Sequence, residues 1–369
     1  MGGSMGRRQF LKMVEGAFFA LAGGAVPGRS AAAEAVAPRP KSRVVSVFHP
    51  QATIGGSGRD NCHLRAEVVS GMVERGVRAF TQKKSSQEAW QQIIPDPTKK
   101  VAIKVNCQIE GIYTKSAVVQ PIVDGLLSVG VPPDHIFIYD MRDTAFALAG
   151  FEKNLGPGVK VGTVADFGGY ARFLFDRLAN LLTGGYPNSG LNLVARLKKE
   201  SAWASVRGLC SLVLAGWDRP YDCDYLINVP VLKALDGYSG VSLSMKNHFG
   251  SIGNPGEHHH ELMDFLPQLN ARPEIRDKTR LIVLDAIFGE YKWFNGRDQT
   301  HVDTFNKLLV ADDPVAVDYL GWQMIEAKRQ EMGLDSVAPR PDFIRTAAEL
   351  GLGVDDPTRI DLIDISLNS

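Results

Sequence analysis

Short apolar runs recur along this chain, separated by stretches with helical spacing, and that alternation limits the folds open to it more than any other feature. "RVVSVF" (43–48), "VAIKVNC" (101–107), "HIFIYD" (135–140), "DYLINVP" (224–230), "RLIVLDAIF" (280–288), "KLLVAD" (307–312) and "IDLIDI" (360–365) read as strands. Between them, residues 64–81 carry an amphipathic helical pattern, 116–130 a helix begun or kinked at Pro121, and 170–200 a helix broken at "TGGYPNSG". Further helices are expected near 314–330 and 341–350. Strands that alternate with helices predict an α/β fold, a mostly parallel or mixed sheet flanked by helices. The expected domain runs over 43–369, with two lobes, 43–223 and 224–369, as an optional division.

In an open α/β sheet, ligands sit beyond the carboxyl ends of the strands. Here those ends carry His49, Asn106, Cys107, Asp140, Asn228, Asp285, Asp312 and Asp313. Polar residues at such places also serve as turn formers and helix caps. Lys104 is more demanding, because it falls inside an apolar strand that a parallel sheet covers on both faces. A buried ammonium is costly without an anion, so Lys104 either meets a carboxylate or lies at the open rim. Asn106 shares its face by the two-residue period.

Composition excludes some partners. Of 369 residues, 44% are apolar and 22% charged, and acidic and basic residues balance at 41 each with no basic stripe. Nucleic acid is therefore not an expected partner, nor is a membrane span in the mature chain. The start is distinctive: Arg7 and Arg8, then Phe10, Leu11 and Lys12, a mildly apolar run and an alanine-rich zone near Ala33 and Ala35. This has the form of a twin-arginine export signal over 1–35, with a proline-rich linker over 36–42. It predicts the twin-arginine machinery as a partner and a periplasmic location. Proteins on that route are exported folded, commonly with a cofactor already inserted, so a transition metal or metal-containing cofactor is expected. Cys62, Cys107, Cys210 and Cys223 form no C-x-x-C pair, which removes zinc-ribbon and ferredoxin spacings. Disulfides, buried thiols and metal ligation all remain open for them.

The stretch "KNHFGSIGNPGEHHHEL" (246–262) holds four of the eight histidines. Ser244 and His248 share a face whether the segment is extended or helical. Three successive side chains cannot all point one way, so at most two of His258, His259 and His260 can join His248 on one metal. The ligand set expected is His248, His258 and His260, with Glu257 or Glu261 as added oxygen ligands. A solvated His-rich loop is the alternative. The loop "GEYKWFNGRDQTHVD" (289–303) has the length and aromatic content of a lid, with Arg297 and His301 able to meet an anion.

The ordered set "VAIKVN", "DYLINVPVLK", "VSLSMKNHFGSIGNP", "LIVLDAIFG" and "LLVADDPVAVD" resembles the domain of unknown function 362 family over about 43–330. It is most similar to the twin-arginine-exported branch without a ferredoxin-like module, a group distantly related to the nickel-pincer lactate racemase superfamily. The resemblance implies Lys233, Lys246 and Asn247 as site residues. The family's histidine after the Leu-Lys pair is missing, since Ala234 follows Lys233. Together these readings predict a metal- or cofactor-binding protein, an enzyme of redox or proton-transfer type acting on a small anionic molecule. Lys104, Lys233 and Lys246 would supply positive charge, Asp285 would orient, and Asn106, Asn228, Ser244 and Asn247 would hold the ligand. A non-catalytic carrier or an accessory subunit of a redox complex is the rival class.

Overall fold

A computed structural model describes residues 40–54, 63–109, 111–163, 166, 223–252, 255–293 and 301–367, with the backbone alone at Gly256 and Glu257. The export signal, most of the linker, the 170–200 helix, Cys62, Cys210 and Arg297 lie outside that set, as does the side chain of Glu257.

Residues 35–369 form one compact unit around a ten-stranded, mostly parallel sheet. Its strands are β1 (Ser42–Phe48), β2 (Val101–Lys104), β3 (Ile136–Asp140), β4 (Lys160–Thr163), β5 (Tyr225–Asn228), β6 (Val231–Leu235), β7 (Gly240–Val241), β8 (Thr279–Glu290), β9 (Val302–Ala311) and β10 (Ile360–Ser366). The spatial order is β10-β1-β9-β8-β5-β2-β3-β4, with β6 continuing beside β8 and β7 beside β6. The pairs β1–β9, β8–β9 and β6–β7 are antiparallel, and the other strand pairs are parallel. Strands from both sides of residue 223 interleave, so the sheet does not divide there. The central strands β2, β3 and β5 are buried along their whole length, as parallel strands covered on both faces must be.

The two-residue period sorts these strands onto two cores. Val45, Ile103, Ile138 and Val283 face one core, and Val44, Ala102, Phe137 and Ile282 face the other. Helices α1 (Ala66–Thr81), α2 (Ser86–Ile93) and α3 (Ser116–Ser128) cover the first face. α2 begins at a capping box in which the Ser85 hydroxyl accepts from Glu88 N–H while the Glu88 carboxylate accepts from Ser85 N–H. α3 packs so closely on Trp90 that a Cβ at Gly125 would overlap the indole. Pro121 lies inside α3 rather than at its start.

The second face carries the one-turn helix α4 (Ser244–Asn247), then α5 (Leu262–Asn270), α6 (Pro314–Glu331) and α7 (Phe343–Glu349). α6 starts cleanly, with Pro314 at its first position and Asp313 Oδ1 accepting from Val315 and Ala316 N–H. β8 and β9 form a longer antiparallel pair than their apolar runs suggest, in register as far as Glu290 opposite Val302. Residues 289–290 and 302–303 of the expected lid loop are therefore strand. No helix among the described residues is long and apolar enough to cross a membrane.

Candidate functional site

Lys104 is the last residue of β2, and alternation turns it toward the second core, on the side of Ala102. Its side chain is 1% exposed. Desolvation on that scale requires a partner, and Asp140 at the end of neighbouring β3 supplies it at 2.6 Å. Lys104 Nζ also donates to Asn247 Oδ1 at 3.2 Å and to Val105 C=O. Asp140 is itself saturated, accepting from Met141 N–H at 2.6 Å and from Cys107 N–H. The pair thus ties the loops after β2 and β3 together.

Asn247 is the hub above this pair. Its Oδ1 accepts from Lys104 and from Asn106 Nδ2 at 3.1 Å, while its Nδ2 donates to Asn228 Oδ1 at 2.7 Å. Asn228 Nδ2 in turn donates to Ser244 C=O at 3.0 Å and to Ser244 Oγ at 3.1 Å. Asn106 Oδ1 accepts from Lys233 Nζ at 3.2 Å. Asn106, Asp140 and Asn228, from three adjacent strand ends, therefore meet in one buried network with Lys104, Lys233, Ser244 and Asn247. Gly250 closes over it: a Cβ there would sit 2.5 Å from Asp140 Oδ1 and 2.7 Å from Lys104 Nζ. α4 is held from behind by Asp318 on α6, whose carboxylate accepts from Ser244 N–H at 2.6 Å and Met245 N–H at 3.1 Å. Burial still pushes the Asp318 carboxyl up to about 8.

Outside this network opens a cavity of about 440 Å³. Lys233, Lys246, Asn106, Asn247 and Ser242 give it a polar side, and Tyr238, Phe249 and Trp293 an aromatic one. Lys246 Nζ lies 4.7 Å from the Phe249 ring centroid, and among the described residues no carboxylate ion-pairs with it. Burial, with the nearby Lys233 charge, pulls its amine down to about 7. Lys233 is lowered too, chiefly by burial, but Glu290 and Asp140 act to keep its proton; Glu290 is its register partner on β8.

Asp285 stands at the same end of the sheet, opposite Val231, yet it faces the 113–115 segment. It accepts from Lys115 N–H at 3.3 Å and Ile287 N–H at 3.2 Å. Burial raises its carboxyl to about 6. It backs the site, and among the described residues it forms no ion pair with Lys104, Lys233 or Lys246. Cys107 and Cys223 are buried free thiols, and burial together with Asp140 pushes the Cys107 thiol well up, so it is no nucleophile.

The expected metal set does not assemble. His248 is buried beside Ser251, with Nδ1 3.4 Å from its Oγ, and burial lowers its pKa to about 3. His258 stacks on Phe265 at 4.0 Å and meets Glu261 at 2.7 Å through Nδ1. His260 is exposed. Among the described residues no group of three or more His, Cys, Asp or Glu side chains converges on a point that could hold a metal ion. The reason is the fanning of adjacent side chains: once His258 turns inward onto α5, its neighbour His259 points elsewhere. His259 is the one that reaches the cavity, edge-on to Phe249 at 5.1 Å and to Tyr238 at 5.8 Å. His258, Glu261 and Phe265 fall at i, i+3 and i+7, a helix-like spacing that could have flagged the structural histidine although only Phe265 lies within α5.

No curated protein and no solved structure matches this chain. Residues 215–323 do match a family model, and that segment carries β5 to β9, Lys233, Lys246, Asn247 and Asp318 but not Lys104, Asn106 or Asp140. The family matched there is the one described as a domain of unknown function, DUF362.

Proposed function

We propose that the cavity binds a small anionic molecule and that the protein is an enzyme of proton-transfer type, with Lys246 as the group that gives or takes the proton. The observation that carries this reading is Lys246 itself. It is a half-buried amine on the cavity wall, beside a second lysine and over an aromatic ring, without an ion-paired carboxylate among the described residues. Lysines that only stabilise a fold are paired, as Lys104 is with Asp140. A group whose pKa sits near 7 exchanges its proton readily at neutral pH. Lys233, Asn106 and, while it is protonated, Lys246 would hold the anion, and the aromatic side would take the apolar remainder of the ligand.

The same reading has the protein acting outside the cytoplasm, exported by way of Arg7 and Arg8. Metal ligation by His248, His258 and His260 forms no part of it, because among the described residues these side chains do not converge. Calorimetric titration with a panel of small carboxylates and phosphates tests the binding step. Removing one charge-assisted hydrogen bond of about 1.5–3 kcal/mol by Lys246→Met should weaken binding about ten- to hundredfold. Equal binding by parent and variant, or no binding of any anion, would sink the reading. Accumulation of an Arg7→Lys, Arg8→Lys double variant outside the cytoplasm would sink the export route.

A further inference from the structure

Lys233 and Lys246 border the same cavity but are provided for differently. Lys233 comes from β6, donates to Asn106 Oδ1 at 3.2 Å and has Glu290 across the strand pair. Lys246 comes from α4, lies over the Phe249 face, forms no ion pair among the described residues, and feels the Lys233 charge. One amine is thus supported as a cation and the other is pressed to give up its proton. A neutral amine is a nucleophile, and an ammonium is a carboxylate anchor. Two such groups on one wall select a ligand with an electrophilic carbon next to a negative group.

We propose that Lys246 is a carbonyl-addition nucleophile and that the cavity takes 2-oxo acids, the carboxylate resting on Lys233 and the keto carbon meeting Lys246 Nζ. This rests on the anion-binding reading above and names its substrate class and covalent chemistry. The Nζ lone pair forms a C–N bond as the C=O π pair moves to oxygen, which takes a proton from solvent. The new nitrogen cation releases a proton and regains its electron pair; the carbinolamine hydroxyl then takes a proton and leaves as water while that pair completes the C=N bond. The protonated imine withdraws electrons from the neighbouring carbon, so a C–H bond there can release a proton, its electron pair forming an enamine. His259, on the cavity wall beside Phe249, is placed to carry that proton. The aromatic side formed by Tyr238, Phe249 and Trp293 favours an oxo acid with a planar apolar substituent.

Burial makes the chemistry feasible at neutral pH. An amine held near 7 is about half neutral there, whereas an exposed lysine near 10.4 is neutral in roughly one molecule in a few thousand. Titratable and charged groups face Lys246 from several elements: Lys233 on β6, the Lys104–Asp140 pair beyond Asn247, Glu290 beyond Lys233, and His259 across Phe249. Of these only Lys233 shifts the Lys246 amine.

The test uses the full chain with pyruvate and phenylpyruvate as probes and sodium cyanoborohydride, which delivers hydride to an imine carbon. Peptide mapping by mass spectrometry then finds the amine that carries the reduced oxo acid. The expected result is one adduct at Lys246, formed at least tenfold faster than at any other lysine and competed by excess lactate or phenyllactate. Lys246→Arg, which keeps the charge, should lose the adduct while still binding lactate. Adducts spread evenly over surface lysines, or none at Lys246 while calorimetry shows lactate bound, would overturn the imine and leave the anion site standing. No binding of either acid would overturn both.

Discussion

Lys104 and Lys246 stand on opposite sides of Asn247 and meet opposite treatment. Below it, Lys104 is sealed, ion-paired with Asp140 and bonded to three acceptors. Above it, Lys246 borders a cavity and has an aromatic face in place of an anion. The first arrangement spends charge on holding two strand ends together; the second leaves charge available for a ligand. The comparison teaches that a buried lysine is not by itself a functional signal. What separates the two is whether the protein already supplies the counter-ion.

The largest effect should come from breaking the sealed side. Lys104→Met strands the Asp140 carboxylate and should cost about 3–5 kcal/mol of stability, read as a lowered denaturant midpoint. Lys246→Met, by contrast, should change stability by less than about 1 kcal/mol while weakening anion binding. Equal losses for the two would erase the distinction. Next, Gly250→Ala pushes a methyl group against Asp140 and Lys104. Overpacking of this kind should cost about 1–3 kcal/mol, and rescue by Asp140→Asn would locate the strain at the pair.

His248 sharpens the comparison by pH. Its folded pKa of about 3 lies below the ordinary 6.5, so between those values the unfolded chain binds a proton that the fold refuses. Stability is fully present above about 6.5 and falls by up to about 1.4 kcal/mol per pH unit as acid is added toward 3. Melting curves of parent and His248→Gln should diverge in that window and run parallel above it. The smallest effect concerns the open side: anion binding that uses the Lys246 ammonium should weaken about tenfold per pH unit above about 7. Lys246→Arg should flatten that profile.

Much of this was readable before any coordinates. A charge inside an apolar strand costs too much to be idle, so Lys104 announced its own partner requirement, and the strand-end rule brought Asn106, Asp140 and Asn228 into one network. β6, only five residues long and carrying Lys233 at its centre, has no alternation strong enough to declare a strand; its place comes from pairing with β8. The histidine cluster misled for a different reason. Which of three adjacent rings faces inward depends on the turn before them and on Phe265 seven positions beyond His258, a contact set by packing rather than by ligand chemistry. Asp318 was hidden because its partners are backbone amides 74 and 73 residues earlier.

The strand order has a practical consequence. The segment that the family model matches supplies β5 to β9, which sit together in the middle of the sheet, between β1 on one flank and β2 on the other. Cut out and expressed by itself, it would carry two raw hydrogen-bonding edges, and Asn247 would lose Lys104 and Asn106. Exposed strand edges recruit other chains, so such a fragment should precipitate rather than refold. What is recognisable in the sequence as one piece is, in the folded molecule, a keystone that stands only while its arch does.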